Sequence, residues 1–140
     1  MPQTLPTFDD VLAAKERIKG RAVRTPLLRS DLLDERLGAR LFLKPENLQR
    51  TGSFKFRGAY NTLSANLDEA REKGVFATSS GNHAQGVAEA SRLLGLEATI
   101  LMPADAPKTK MERTTRSGAT IVTYNRERED RESLVQKTEC

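Results

Sequence analysis

The sequence predicts an α/β fold, a parallel sheet with flanking helices, and two observations carry that prediction. Three short runs rich in β-branched and aliphatic residues, at 75–78, 98–102 and 119–123, recur at spacings that leave room for one helix between neighbours. Helical patterns fill both gaps, beginning near His83 and near Pro107. A strand that returns beside its predecessor through a helix pairs in parallel, with a right-handed crossover. The Ala-Thr-Ile triplet recurs at Ala98 and Ala119, but two similar units make ordinary βα construction rather than a solenoid.

Before the sheet, Thr7 and Asp10 form a capping pair ahead of apolar Val11, Leu12, Ala14 and Ile18, which predicts a docking helix that ends at Gly20. Thr25-Pro26 breaks the pattern, Leu27 and Leu28 suggest an extended piece, and Ser30 is placed to cap a second helix running to Gly38. Residues 39–44 read as a strand with Leu41 and Leu43 on one side, ended by Pro45. From 54 to 65 the residues Phe56, Ala59, Tyr60 and Leu63 share one helical face, and a short polar helix over 67–73 leads to Gly74. The helix after Gly81 carries Ala84, Gly86, Val87, Ala88 and Leu94, small at its start so that the first turn can approach a sheet or a ligand. The charged run 126–132 predicts a solvated helix with Glu127 and Arg131 four residues apart.

Length and charge narrow the function classes. A chain of 140 residues accommodates one compact domain but not two complete ones. The net charge is +4, yet arginines and glutamates are interleaved, with no zinc spacing and no aromatic-rich basic motif, so nucleic acid is not the expected partner. A phosphorylated cofactor or a carboxylate substrate is the more economical anion. Cys140 is the single cysteine, which excludes an internal disulfide and argues against metal-thiolate chemistry. The first six residues lack the layout of a secretory signal and no apolar run is long enough to span a bilayer, so no membrane is expected and the cytoplasm is the default compartment.

Lys55 stands apart from the other lysines. It follows the Gly52-Ser53 turn, lies between Phe54 and Phe56, and begins a helix. Aromatic neighbours that exclude water, and the positive end of a helix, both favour the neutral amine over the ammonium. A neutral lysine is a nucleophile suited to Schiff-base chemistry with an aldehyde cofactor. A second candidate site is Ser79-Ser80-Gly81-Asn82-His83, where a strand hands over to a helix. Such strand ends bind ligands in open α/β sheets, and backbone N–H groups with the Ser79 and Ser80 hydroxyls make an anion pocket. The motif alone leaves phosphate, carboxylate and a purely structural turn open.

The runs 51–59, Thr-Gly-Ser-Phe-Lys-Phe-Arg-Gly-Ala, and 79–86, Ser-Ser-Gly-Asn-His-Ala-Gln-Gly, together resemble the two signatures of the threonine and serine dehydratase family. These are pyridoxal 5'-phosphate enzymes of the tryptophan synthase β-type fold, and the similarity extends from about Phe8 to Arg131. The resemblance implies that Lys55 carries the cofactor and acts as base, that Phe54 packs near its ring, and that Asn82 contacts the ring 3-hydroxyl. It also implies that Ser79, Ser80, Asn82 and His83 receive the substrate carboxylate. L-Threonine or L-serine would then be converted to 2-oxobutanoate or pyruvate with ammonia. In enzymes similar to serine racemase a serine at the position of Ser80 returns a proton to the opposite face, so Ser80 is a candidate catalytic residue and racemization a second activity.

The same resemblance divides the chain into 1–69, the first part of the large cofactor domain, and 70–140, a truncated small α/β domain. No two of the nine glycines are adjacent, whereas the family's phosphate loop is glycine-rich and lies later in the chain. The chain is therefore expected to be an N-terminal fragment of a homo-oligomeric enzyme, with an altered or abruptly ended reading frame after about Arg131. Alone, it is expected to bind cofactor weakly and to turn over little substrate. A non-catalytic binding or regulatory fragment is the competing reading.

Overall fold

The computed structural model describes residues 5–138. The first four residues of the predicted start, and Cys140, lie outside the described residues. Helix α1 (Phe8–Ile18) begins as expected, with the Thr7 hydroxyl accepting from Asp10 N–H while the Asp10 carboxylate accepts from Thr7 N–H. It docks through its end: Ile18 packs on the core and Arg17 Nε donates to Asn61 at 2.7 Å. Phe8, Val11 and Leu12 stay exposed. Helix α2 (Asp31–Leu37) ends at Gly38, whose φ of 61° suits glycine, but Ser30 makes no side-chain capping bond.

No strand forms over 39–44. Leu28 and Leu43 exchange two backbone bonds of 2.9 Å as a single antiparallel bridge, and the neighbouring Leu41 N–H donates instead to the Asp34 carboxylate at 2.7 Å. With that amide taken by a side chain, the ladder does not propagate, although the alternation of Leu41 and Leu43 is correct for a strand.

Helices α3 (Lys55–Ala65) and α4 (Leu67–Lys73) lead into β1 (Val75–Thr78), α5 (Asn82–Leu94), β2 (Ala98–Pro103), α6 (Lys108–Arg116) and β3 (Thr120–Tyr124). The three strands form one parallel sheet in the order β1-β2-β3, with Val75 opposite Ala98 and Thr99 opposite Thr120. The α/β class and the strand-helix rhythm hold. Phe56, Ala59 and Tyr60 of α3 pack with Ala84, Val87 and Ala88 of α5 and with Ile100 and Met102 of β2 in one core. The face read from the spacing of α3 is the buried one.

The charged run behaves differently from its reading. Residues 126–128 form a turn, in which Asn125 accepts from Glu127 N–H and the Glu129 carboxylate accepts from Asn125 N–H. Helix α7 (Arg131–Thr138) starts only after it, with Asp130 accepting from Ser133 N–H. Asparagine and aspartate satisfy nearby backbone N–H groups and so interrupt a helix that charge spacing alone permits.

Candidate active site

The helices that follow the two candidate motifs touch where the first turn of α3 meets Gly86, one turn into α5. A Cβ on Gly86 would stand 3.1 Å from the Lys55 carbonyl carbon and the Phe56 nitrogen, and 3.2 Å from the Lys55 oxygen. Glycine suits that approach of helix to backbone, since a Cβ would press the two apart by a few tenths of an ångström, and the closeness made possible by the small residues of α5 is directed at α3 rather than at the sheet. Gly86→Ala gains about 1 kcal/mol of helix propensity but over-packs against main chain that cannot turn aside. The expected net loss is about 1–2 kcal/mol, read as a lower urea midpoint with an unchanged slope.

Lys55 occupies the first position of α3 and is exposed. Its Nζ lies 5.3 Å from the centroid of the Phe54 ring, itself 60% exposed, while Phe56 points the other way and is fully buried. The two aromatics therefore do not enclose the amine as their sequence positions suggested. Helical geometry separates them, since residues 54 and 56 cannot share a face. Among the described residues no carboxylate pairs with Lys55.

Lys55 is nevertheless near enough to the second site for its charge to act on His83. Partial desolvation foremost, and then the Lys55 charge, hold the His83 imidazole below its ordinary value. Around it, Ser79 N–H extends the sheet to Leu101 O at 3.1 Å, and the Ser79 hydroxyl accepts from Gly81 N–H at 3.2 Å, which folds the turn. Gly81 precedes α5 and, among the described residues, no side chain caps that helix, so its first amides lack a capping acceptor. Ser80 is half-buried; Asn82 and His83 are exposed.

Sequence reading overlooked the bracing of this arrangement. Two residues beyond Lys55, Arg57 Nε and Nη2 donate to the two Glu46 oxygens at 2.8 and 2.7 Å, and the Thr25 hydroxyl donates to Glu46 at 2.6 Å. Gln49, buried, bridges the Val23 N–H and carbonyl at 2.8 Å each. The clue available was an acid and an arginine flanking the Lys55 turn, but eleven residues of separation carry no local rule. The turn is also strained: Thr51 has φ of 60°, and the buried Thr51 and Ser53 hydroxyls lack partners. A groove of about 570 Å³ lined by Lys15, Lys19, Arg24, Lys44 and Arg57 contains none of these predicted site residues.

A lysine without an acidic partner among the described residues, preceded by the unpaired Thr51 and Ser53 hydroxyls, and a strand-end turn leading into an uncapped helix fit the aldehyde end of a pyridoxal-type cofactor and a carboxylate. The phosphate end finds no glycine-rich nest among the described residues. Fold and site thus define an α/β protein of the pyridoxal-phosphate class. The chain belongs to the pyridoxal-phosphate dependent enzyme family, whose sequence profile matches residues 18–139.

Among its relatives, L-threo-3-hydroxyaspartate ammonia-lyase of a Pseudomonas species is 57% identical over 131 residues, covering 93% of this chain and 41% of that protein. The catabolic L-threonine dehydratase of Escherichia coli is 46% identical, over 84% of this chain and 36% of that protein. Maize serine racemase superposes with a TM-score of 0.86 at 39% identity, over 94% of this chain and 40% of that one. The chain therefore spans about 40% of the length of the relatives it matches. The cofactor of the family is pyridoxal 5'-phosphate, and the expected fold type agrees with these neighbours. Among the described residues no helix is long and apolar enough to cross a membrane.

Proposed function

We propose that this chain is the lysine-bearing part of an ammonia-lyase that dehydrates a small 3-hydroxy amino acid and releases ammonia and a 2-oxo acid. What supports the reading is that the Lys55 backbone packs against Gly86 of α5, the helix that follows the 79–83 turn, and that the Lys55 charge acts on His83. Bound pyridoxal phosphate supplies an aldehyde that tethers an amino group and a conjugated ring that accepts an electron pair. Lys55 would be the attachment point and the base that moves the α-proton, with Phe54 placed to pack near the ring and Asn82 to hold the 3-hydroxyl. The Ser79 and Ser80 hydroxyls, the Asn82 amide and His83 receive the substrate carboxylate, with backbone N–H groups doing the same work at lower desolvation cost.

L-Threonine and L-serine are the substrates first expected, and the similarity to a hydroxyaspartate enzyme adds an acidic member of the same class. Ser80, half-buried in the turn, favours racemization as a second activity, in line with the similarity to serine racemase, because a hydroxyl there can return a proton. We assign 1–69 to the larger cofactor unit of the whole enzyme and 70–140 to the smaller one, although α3 shares its core with α5. The whole enzyme is proposed to be a cytoplasmic homo-oligomer. In the chain by itself, Leu27, Leu37, Phe42 and Phe54 remain exposed, and cofactor binding is correspondingly weak.

Borohydride reduction after addition of pyridoxal phosphate, followed by peptide mapping, tests the assignment. The expected result is a pyridoxyl label on Lys55, absent in Lys55→Ala. A label spread evenly over the eight lysines would refute it.

A further inference from the structure

Lys110 is a cation that the site described so far does not use. A Cβ built on Gly81, the centre of the 79–83 turn, would lie 4.0 Å from Lys110 Nζ. Lys110 is half-buried on the first turn of α6, and its backbone is fixed at both ends: its N–H donates to Pro107 O at 2.9 Å, and its carbonyl accepts from the fully buried Thr114 hydroxyl at 2.9 Å. The side chain has no hydrogen bond or ion pair among the described residues. Asp105, the acid of the same β2–α6 connection, is instead paired with Arg126 at 3.0 Å. A half-dry positive charge kept away from available acids and set over a ligand turn is arranged for an anion that arrives from outside.

On the reading proposed above, an α-carboxylate is already provided for by the serine hydroxyls, Asn82, His83 and the uncapped amides that open α5. We infer that Lys110 is a specificity-determining residue that pairs with a second carboxylate, so that the preferred substrate is an acidic 3-hydroxy amino acid rather than threonine or serine. This rests on the reading of the 79–83 turn as the substrate site. The methyl of threonine offers a pocket only a weak handle, whereas an unpaired carboxylate entering a half-dry site is admitted or refused according to whether a cation meets it. The relative acting on L-threo-3-hydroxyaspartate agrees with such a site.

The test compares two titrants that differ only in that group, L-threo-3-hydroxyaspartate and L-threonine, added to the isotopically labelled chain while backbone amide resonances of 79–83 are followed. The dicarboxylate is expected to saturate these shifts at a concentration at least about tenfold lower, equivalent to 1.4 kcal/mol. Lys110→Gln should abolish that preference and Lys110→Arg should retain it, with the rest of the amide spectrum unchanged in both. Equal affinity of the wild-type chain for the two titrants overturns the inference. So does a Lys110→Gln variant that keeps the preference, or one that weakens both titrants alike, which would put the lysine at the α-carboxylate. Borohydride labelling of Lys55 is independent of these shifts: a preference that depends on Lys110 without a Lys55 label would remove the catalytic reading and leave the acidic ligand.

Discussion

Phe56→Ala is expected to destabilise the chain by about 3–5 kcal/mol, the usual cost of emptying a fully buried aromatic site. The ring is completely inaccessible, stands 5.7 Å from the Tyr60 ring, and lies at the join of α3, α5 and the sheet. Against a total stability of about 5–15 kcal/mol, that loss is large. Collapse around the void is opposed by Gly86, which already brings α5 into contact with the Phe56 backbone. Urea unfolding followed by circular dichroism measures it, and Phe56→Leu should cost much less by keeping most of the volume. Equal midpoints for wild type and Phe56→Ala would show that the core is not joined there. Since Phe56 adjoins Lys55, the same truncation is expected to lower the selectivity of pyridoxyl labelling even below the unfolding transition.

The next largest loss is expected for Arg57→Met, about 2–4 kcal/mol. Arg57 is the bidentate partner of Glu46 and also donates to Val23 O at 3.0 Å, so its removal strands a carboxylate whose side chain is only 18% exposed. Replacing both residues, as Arg57→Met with Glu46→Leu, should recover part of the loss, and the double-mutant cycle reports the coupling. A pH dependence accompanies it. The Arg57 hydrogen bonds foremost, against the opposing cost of burial, hold the Glu46 carboxyl down at about 2, compared with 4.5 ordinarily. A carboxyl depressed in the folded state stabilises fully above pH 4.5, and that contribution disappears as pH falls toward 2. Its size is on the order of 1–3 kcal/mol, reduced by the water that still reaches the group. Acid titration of stability should therefore be shallower in Arg57→Met than in the wild type over that window.

Both effects concern contacts that no local pattern announces. The pairing of Phe56 with Tyr60 on one face is visible at four-residue spacing, and so is the buried stripe of α3. What that stripe meets is not visible, because nothing in residues 54–65 specifies a helix thirty residues later. The strand expected over 39–44 had the right alternation, but Asp34 took the Leu41 amide, a competition between side chain and ladder that only proximity reveals. The flanking of Lys55 by two phenylalanines suggested a dry amine, and helical geometry instead sends one ring into the core and leaves the other at the surface.

By itself the sequence determined the parallel βα plan, the capping box of α1 and the glycine stops, which follow from spacing within a few residues, and it displayed the two motifs by which the chain resembles its family. Tertiary structure alone decided that Gly86 seats α5 on the Lys55 backbone, that Arg57 and Glu46 brace the same turn, and that Lys110 overhangs Gly81. The division has one cause. Hydrogen-bond and hydrophobic periodicity are written locally in the chain, whereas the approach of side chains from separate elements depends on how those elements pack.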